Sequence, residues 1–481
     1  MTSKKKSEKQ PRKAFTGKSY VAASYIFVGL FLAMIIYMVY FKLNESEELL
    51  NSPYNTRAQE NAEQVVRGSI LANDGTILAY TETDEEGNEN RVYPYDNLFA
   101  QVVGYSDYGN AGLEATQNST LLSSHENIIN RVEKDLNSEK KNGDDIVTTL
   151  SVNLQNIASD ALGDRKGAVV VLDADTSKVL ACVSKPDFNP NTVSEDWETL
   201  NLDDSGSPFL NRGIQGLYEP GSTFKIVTAL AYLIQYGSDA DFHFNCSGEY
   251  TQGGYTIHCI NSTVHGEETL TDAFANSCNC AFSYMATELL DSDALAKAAK
   301  MLQFNTDFSF GLPSNSSSFS LESSNADGLT MQTAIGQGDT LVTPIHMAMI
   351  AQAVYNNGEM LLPSFITQVQ SADQQIIETE SVESCGQVMT SEQASTLKSY
   401  MSAVVQYGTA SYLSDLPYNI AGKTGTAEYN NTEGYSHSWF TGFTNTGNDD
   451  IVVTVIIEEA SEGDDSAASV AGDVISQYYG G

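Results

Sequence analysis

Hydrophobic and polar positions divide the chain into distinct textures. From Tyr20 to Phe41 apolar residues run almost unbroken (YVAASYIFVGLFLAMIIYMVYF), and 22 residues at about 1.5 Å each reach about 33 Å, one bilayer core. Residues 42–143 are polar and acidic, with short strand-like runs. Within them GSILANDGTILAY (68–80) predicts a hairpin about an Asn-Asp-Gly turn, and RVYPYDNLFAQVVGY (91–105) a further strand. The texture changes near Asp144. GAVVVLDADTSKVLACVS (167–184) is two apolar runs about a polar turn, the pattern of a central antiparallel hairpin. Helical spacing follows at 222–235, 269–290, 343–357 and 391–406, while the Ser- and Asn-rich stretch 311–328 reads as loop. Strands return at 420–429, 437–444 and 451–459, and a last helix at 465–479. Strands at both ends with helices between predict an α+β domain: one antiparallel sheet closed by the two ends and covered by helices.

Charge sharpens this division. The net charge is −37, yet residues 1–42 hold eight Lys/Arg and one acid, against 17 Lys/Arg and 61 Asp/Glu in the remainder. The basic residues before the apolar run (Lys4, Lys5, Lys6, Lys9, Arg12, Lys13 and Lys18) predict a cytoplasmic tail at 1–19, a transmembrane anchor at 20–41 and everything after Lys42 outside. A cleaved signal peptide is the alternative, but the run is long for one and FKLNESEE offers no small-residue cleavage site. So acidic an outer part repels phosphate backbones, which argues against nucleic acid as a partner. Cys246 and Cys259 flank a glycine-rich turn and form a candidate disulfide. Zinc is the rival reading, with His258 and His265 near, but no C-x2-C pair accompanies them, so no metal or cofactor is expected.

Three short motifs carry the chemistry: Ser222-Thr223-Phe224-Lys225, Ser277-Cys278-Asn279 and Lys423-Thr424-Gly425. Serine is a feeble nucleophile without a base, and on a helix Lys225 shares a face with Ser222 three residues earlier. Pro220-Gly221 punctuates that helix start and Ser222 is placed to cap it. A lysine serves as base only when neutral, which requires burial or a second cation, and Lys423 supplies one. Other S-x-x-K matches at Ser3, Ser138 and Ser395 lack this context. Ser277 and Asn279 lie in a polar break (ANSCNCAF), where a hydroxyl can relay a proton and an amide can orient substrate. Lys423-Thr424-Gly425-Thr426 reads as an edge strand. Gly425 permits close approach, and the backbone N–H groups of Thr426 and Ser222 form a candidate oxyanion hole.

YEPGSTFK (218–225), SCN (277–279) and GKTGTAE (422–428) closely resemble class B penicillin-binding proteins. Supporting matches include Arg67-Gly68, GLE (112–114), KPDFNPN (185–191), NRG (211–213), GQGDTLVTPIHMA (336–348), Gly408-Thr409 and WFTGF (439–443). The resemblance implies a penicillin-binding transpeptidase fold, a five-stranded antiparallel sheet between helices (144–481), preceded by a small strand-containing pedestal of the dimerisation type (42–143). It implies a D,D-transpeptidase that cross-links peptidoglycan stem peptides and is acylated by β-lactams. Ser222 would be the nucleophile, Lys225 the base, Ser277 and Asn279 the second element, and Lys423, Thr424 and Thr426 the carboxylate site. It also suggests a membrane-embedded glycan polymerase of the SEDS family as partner. Ala72-Asn73 departs from the family, which usually carries Asp-Arg there. A β-lactamase-like hydrolase, a D,D-carboxypeptidase and an inactive wall-synthesis scaffold are the alternatives; the intact Ser222, Lys225 and Lys423 weigh against the last.

Overall fold

The computed structural model describes residues 17–44, 62–203, 206–322, 326–428, 436–460 and 466–480. The apolar run forms a helix, Gly17–Asn44, whose stretch Tyr20–Lys42 has a mean hydropathy of 2.2 and no buried residue. A helix apolar on every side needs a nonpolar surrounding, so this one is compatible with a single-pass membrane anchor. Residues Met1–Glu60 form one unit and Asn61–Gly481 another.

Near the start of the second unit, Ile70–Leu71 pairs antiparallel with Ile77–Thr83 about a turn whose Gly75 has φ +86°, the expected hairpin. The strand expected over 91–105 is cut short. Glu89–Val92 pairs with Ile77–Thr83, then Pro94, with no N–H for a ladder, is followed by helical turns at Asp96–Phe99 and Ala100–Val103. Asp145–Thr148 joins this sheet parallel to Ile70–Leu71, and Ile366–Gln370 and Ile376–Thr379 add two more strands from far downstream. The Arg67-Gly68 and Gly-Leu-Glu motifs now have a physical cause. Glu114 is fully buried, and its carboxylate accepts from Arg67 Nε at 2.5 Å and Arg91 Nε at 2.7 Å. Burial pushes that carboxyl up, but the Arg91 and Arg67 charges outweigh burial and hold it below the usual range. A Cβ on Gly68 would stand 2.1 Å from Asp144 O, so only glycine fits.

The second sheet has five strands, in the order Ile420–Glu428, Ser436–Thr444, Ile451–Ala460, Gly167–Asp173, Val179–Lys185, with every neighbour antiparallel. Both ends of this part of the chain do close one sheet. Its centre is dry on both faces: Ala168 to Leu172 and Ile451 to Val453 are fully buried, which is why these strands read as continuous apolar runs. Each buried Val or Ile contributes about 1.5–3 kcal/mol over exposure. Helices Val152–Leu162 and Ala467–Gly480 pack on each other and on the sheet, as do Pro344–Tyr355 and Ser391–Gln406. Thr343 caps the third of these, with Pro344 in its first turn, and Thr390 caps the fourth in a capping box with Gln393.

One helix expectation is refined and another needs correction. The helical stretch 269–290 divides at its polar break into Leu270–Ala275 and Asn279–Tyr284, the second continued by a π turn Met285–Leu289. And Ser222 caps nothing. A 3₁₀ turn spans Gly221–Phe224, the α-helix begins at Lys225 and runs to Tyr236, and the Ser222 hydroxyl faces Lys225 instead. The candidate disulfide is also absent: Cys246 and Cys259 Sγ stand 3.7 Å apart and all six cysteines are free.

Candidate active site

Ser222 reaches its position through a tight backbone turn. Gly221 adopts φ +51° and donates its N–H to Gly336 O, and a Cβ on it would stand 2.5 Å from Thr426 O. The turn is thereby pressed against the edge strand Ile420–Glu428, where a Cβ on Gly425 would meet Pro220 O at 3.1 Å. Thr223 Oγ1 donates to Pro220 O at 2.6 Å, and Trp439 Nε1 to Glu219 O at 3.0 Å, fixing the turn from both sides.

One helical turn on, the fully buried Lys225 gathers the site. Its Nζ lies 2.9 Å from Ser222 Oγ, 2.7 Å from Asn279 Oδ1, 2.8 Å from Ser277 O and 3.0 Å from Ser277 Oγ. Lys423, also fully buried, donates from Nζ to Ser277 Oγ at 3.0 Å and to Thr424 O at 3.1 Å. Ser277 Oγ therefore bridges the two amines. Its residue sits at φ +56°, a left-handed conformation that costs a β-carbon residue about 1–3 kcal/mol and persists only where surroundings enforce it. Here the strain turns both the carbonyl and the hydroxyl of Ser277 toward Lys225. The five side chains singled out for catalysis, Ser222, Lys225, Ser277, Asn279 and Lys423, thus form one hydrogen-bonded cluster. Thr424, Gly425 and Thr426 follow on the edge strand beside the Ser222 turn, with Thr426 exposed.

Electrostatics favour a free base in this cluster. Burial pushes the Lys225 amine down to about 8. Burial and the Lys225 charge push Lys423 well below the ordinary lysine range. Two buried ammonium groups sharing one hydroxyl resist carrying two protons. The geometry says which amine suits the neutral form. Ser277 O and Asn279 Oδ1 can only accept, so a neutral Lys225 gives its two N–H groups to them and turns its lone pair to Ser222.

Further supports were not legible as site residues. Thr409 Oγ1 shares a hydrogen bond with Thr424 Oγ1 at 2.6 Å, and its own N–H donates to Ala275 O, which accounts for Gly408-Thr409. Phe282 lies 5.6 Å from Lys225 Nζ and Phe274 5.6 Å from Lys423 Nζ, each closing one amine off from water. Arg212 and Tyr218 both bond Glu458 Oε1 at 2.7 Å, tying the segment ahead of the Ser222 turn to the sheet.

Comparison with known proteins gives a consistent result. The family described as penicillin binding protein transpeptidase domain matches residues 167–476, and that described as penicillin binding protein A dimerisation domain matches residues 67–146. The chain is 30% identical to the peptidoglycan D,D-transpeptidase PbpA of Mycolicibacterium smegmatis over 87% of this chain and 89% of that protein. Against the peptidoglycan D,D-transpeptidase MrdA of Acinetobacter baumannii it is 28% identical over 81% of this chain and 66% of that one. A penicillin G acyl-enzyme complex of penicillin-binding protein A from M. tuberculosis superposes with a TM-score of 0.77 at 27% identity, covering 86% of this chain and 99% of the other.

Proposed function

The chain belongs to the penicillin-binding protein transpeptidase family, and on that premise we propose that Ser222 is its nucleophile and Lys225 its general base. The protein is a serine-type peptidoglycan D,D-transpeptidase: it cross-links stem peptides through an acyl-enzyme and is a target of β-lactams. One observation carries the residue assignment, the position of Lys225 Nζ at the centre of four oxygens with Ser222 Oγ at 2.9 Å.

In the reaction, Lys225 takes the Ser222 proton as Oγ attacks the carbonyl carbon of the penultimate D-alanine. The oxyanion that forms is met by the N–H groups of Ser222 and Thr426. Ser277 then relays the proton toward the departing D-alanine amine, and the C–N bond breaks to leave an ester on Ser222. Lys423, Thr424 and Thr426 hold the terminal carboxylate of the donor, whose negative charge keeps the proton on Lys423 and leaves Lys225 free. Gly425 lets the donor lie along the strand edge, and Asn279 orients its amide. An amine of the acceptor stem peptide attacks the ester with Lys225 again as base, releasing Ser222.

The anchor helix supports a topology with residues 1–19 in the cytoplasm and the catalytic part outside, where the acceptor strands are. A membrane-embedded glycan polymerase of the SEDS family is the natural partner, since cross-linking needs freshly polymerised strands. The test is product analysis with a donor peptide ending in D-Ala-D-Ala and an acceptor stem peptide. Cross-linked dimer that disappears in Ser222→Ala is expected, whereas hydrolysis alone would make the enzyme a carboxypeptidase.

A further inference from the structure

The helix Ile128–Asn137 faces the wrong way for a soluble protein. Its apolar residues Ile128, Ile129, Val132 and Leu136 share one side, the spacing that ordinarily points to a core. Here no residue of the helix is buried, and those four are 52–81% exposed. The protein is met by the opposite, polar side instead. Asn130 Nδ2 donates to Asp373 Oδ1 at 2.7 Å, and Lys134 Nζ to Glu126 Oε1 at 2.6 Å. The Asn127 side chain caps the helix, and its backbone N–H donates to Asp373 Oδ2 at 2.8 Å. Asp373 lies in the turn between strands Ile366–Gln370 and Ile376–Thr379, so the sheet itself holds the helix with its apolar stripe outward.

Two observations say what covers that stripe. The first is where the chain comes from. Residues 45–64 lead from the anchor helix, which ends at Asn44, to Val65–Val66, and this strand pairs in parallel with Lys141–Asn142 just past the outward helix. Lys140 Nζ also donates to Ala62 O at 3.0 Å. Along the chain, this corner of the second unit is the first reached from the anchor. The second observation is charge. Beyond Lys42 there are 17 Lys/Arg against 61 Asp/Glu, yet residues 127–142 hold four (Arg131, Lys134, Lys140, Lys141) against three (Glu133, Asp135, Glu139). An acidic surface is repelled by anionic lipid headgroups, and this near-neutral stretch is not.

We propose that Ile128–Asn137 docks on the surface of the membrane that holds the anchor, with Ile128, Ile129, Val132 and Leu136 in the boundary between headgroups and acyl chains. Amphipathic helices lie in that plane with the apolar side buried about 5–10 Å. A second protein fits less well: specific interfaces need about 800 Å² on each partner, and a helix face about 15 Å long and 10 Å wide offers far less. A bilayer sets no such threshold, because the anchor already concentrates the chain at its surface. This second attachment would fix how the pedestal leans on the membrane. The inference rests on the reading of Gly17–Asn44 as a membrane anchor and is independent of the role of Ser222.

The full chain in lipid nanodiscs, one chain per disc, tests it through tryptophan quenching by brominated acyl chains. The discs are phosphatidylcholine with phosphatidylglycerol, brominated or plain. Co-elution of chain and disc reports the anchor alone, so a failed anchor is distinguished from a failed helix. Val132→Trp places a reporter in the middle of the stripe, over the background of Trp197 and Trp439. Its added emission should be mostly lost in brominated discs, whereas that of Leu202→Trp, at an exposed site on another helix, should be kept. Adding Leu136→Asp to Val132→Trp should restore the emission, and because Leu136 is exposed this change leaves the fold in place. Equal Val132→Trp emission in brominated and plain discs would overturn the proposal and leave the stripe to a second copy or a partner protein, neither of which such discs contain. Quenching at Leu202→Trp to the same degree, or quenching that survives Leu136→Asp, would overturn it as well.

Discussion

Replacing Lys225 by arginine separates a base from a fixed charge. Lys225 is fully buried, and burial lowers it to about 8 from the 10.5 of an unperturbed lysine. At pH 7 about one Lys225 in ten is then neutral, against roughly one in three thousand without the shift. Burial thus raises the supply of free base about 300-fold. Since the lowered group is protonated below its pKa, the second-order rate of acylation by a penicillin should climb about tenfold per pH unit up to about pH 8 and flatten above it. Arginine keeps the charge and can reach the same oxygens, but it cannot be deprotonated in a protein. Lys225→Arg should lose acylation on the order of 10²–10⁴-fold, and its residual rate should show no inflection near pH 8. The assay is stopped-flow acylation of both proteins across pH, with thermal melts to establish that the larger side chain is accommodated. A folded Lys225→Arg protein acylating within about fivefold of the parent would refute the base assignment. A parent rate that does not change with pH would do the same.

Two further predictions concern stability. Glu114→Gln leaves the Arg67 and Arg91 guanidiniums around a neutral amide, and a chemical melt should lose about 3–5 kcal/mol; a loss under about 1 kcal/mol would mean the network is a surface-type pair. His346 is fully buried, with Nε2 on Leu302 O at 2.8 Å and Nδ1 unpartnered, and burial pushes it down to about 4 from 6.5. Because the unfolded chain takes up this proton first, stability should fall by roughly 3 kcal/mol as pH drops from about 6.5 to about 4, and His346→Gln should remove that component of the acid transition.

What was legible in the sequence was local or tied to chemistry. Ala168 to Leu172 announces a doubly buried strand because each residue there is apolar, and Ser391–Gln406 announces a helix through its spacing. Ser222, Lys225, Ser277, Asn279 and Lys423 were legible because acyl transfer needs those residue types in those local contexts, and the fold brings all five together. Contacts made across the chain were not. Ile366–Gln370 reaches back to pair with Asp145–Thr148, and no spacing near either strand signals it. Thr409 is one threonine among many until its hydroxyl is seen on Thr424. The polar break at Ser277 shows in ANSCNCAF, but its left-handed backbone does not, because serine has no strong preference for φ > 0.

The central claim is that one serine, and that serine alone, becomes acylated. Intact mass spectrometry of the full chain in detergent after exposure to penicillin G, followed by peptide mapping, tests it directly. The account predicts a single persistent penicilloyl adduct on Ser222 that is absent in Ser222→Ala. An adduct mapped to any other residue, or folded protein that takes up none, would contradict it.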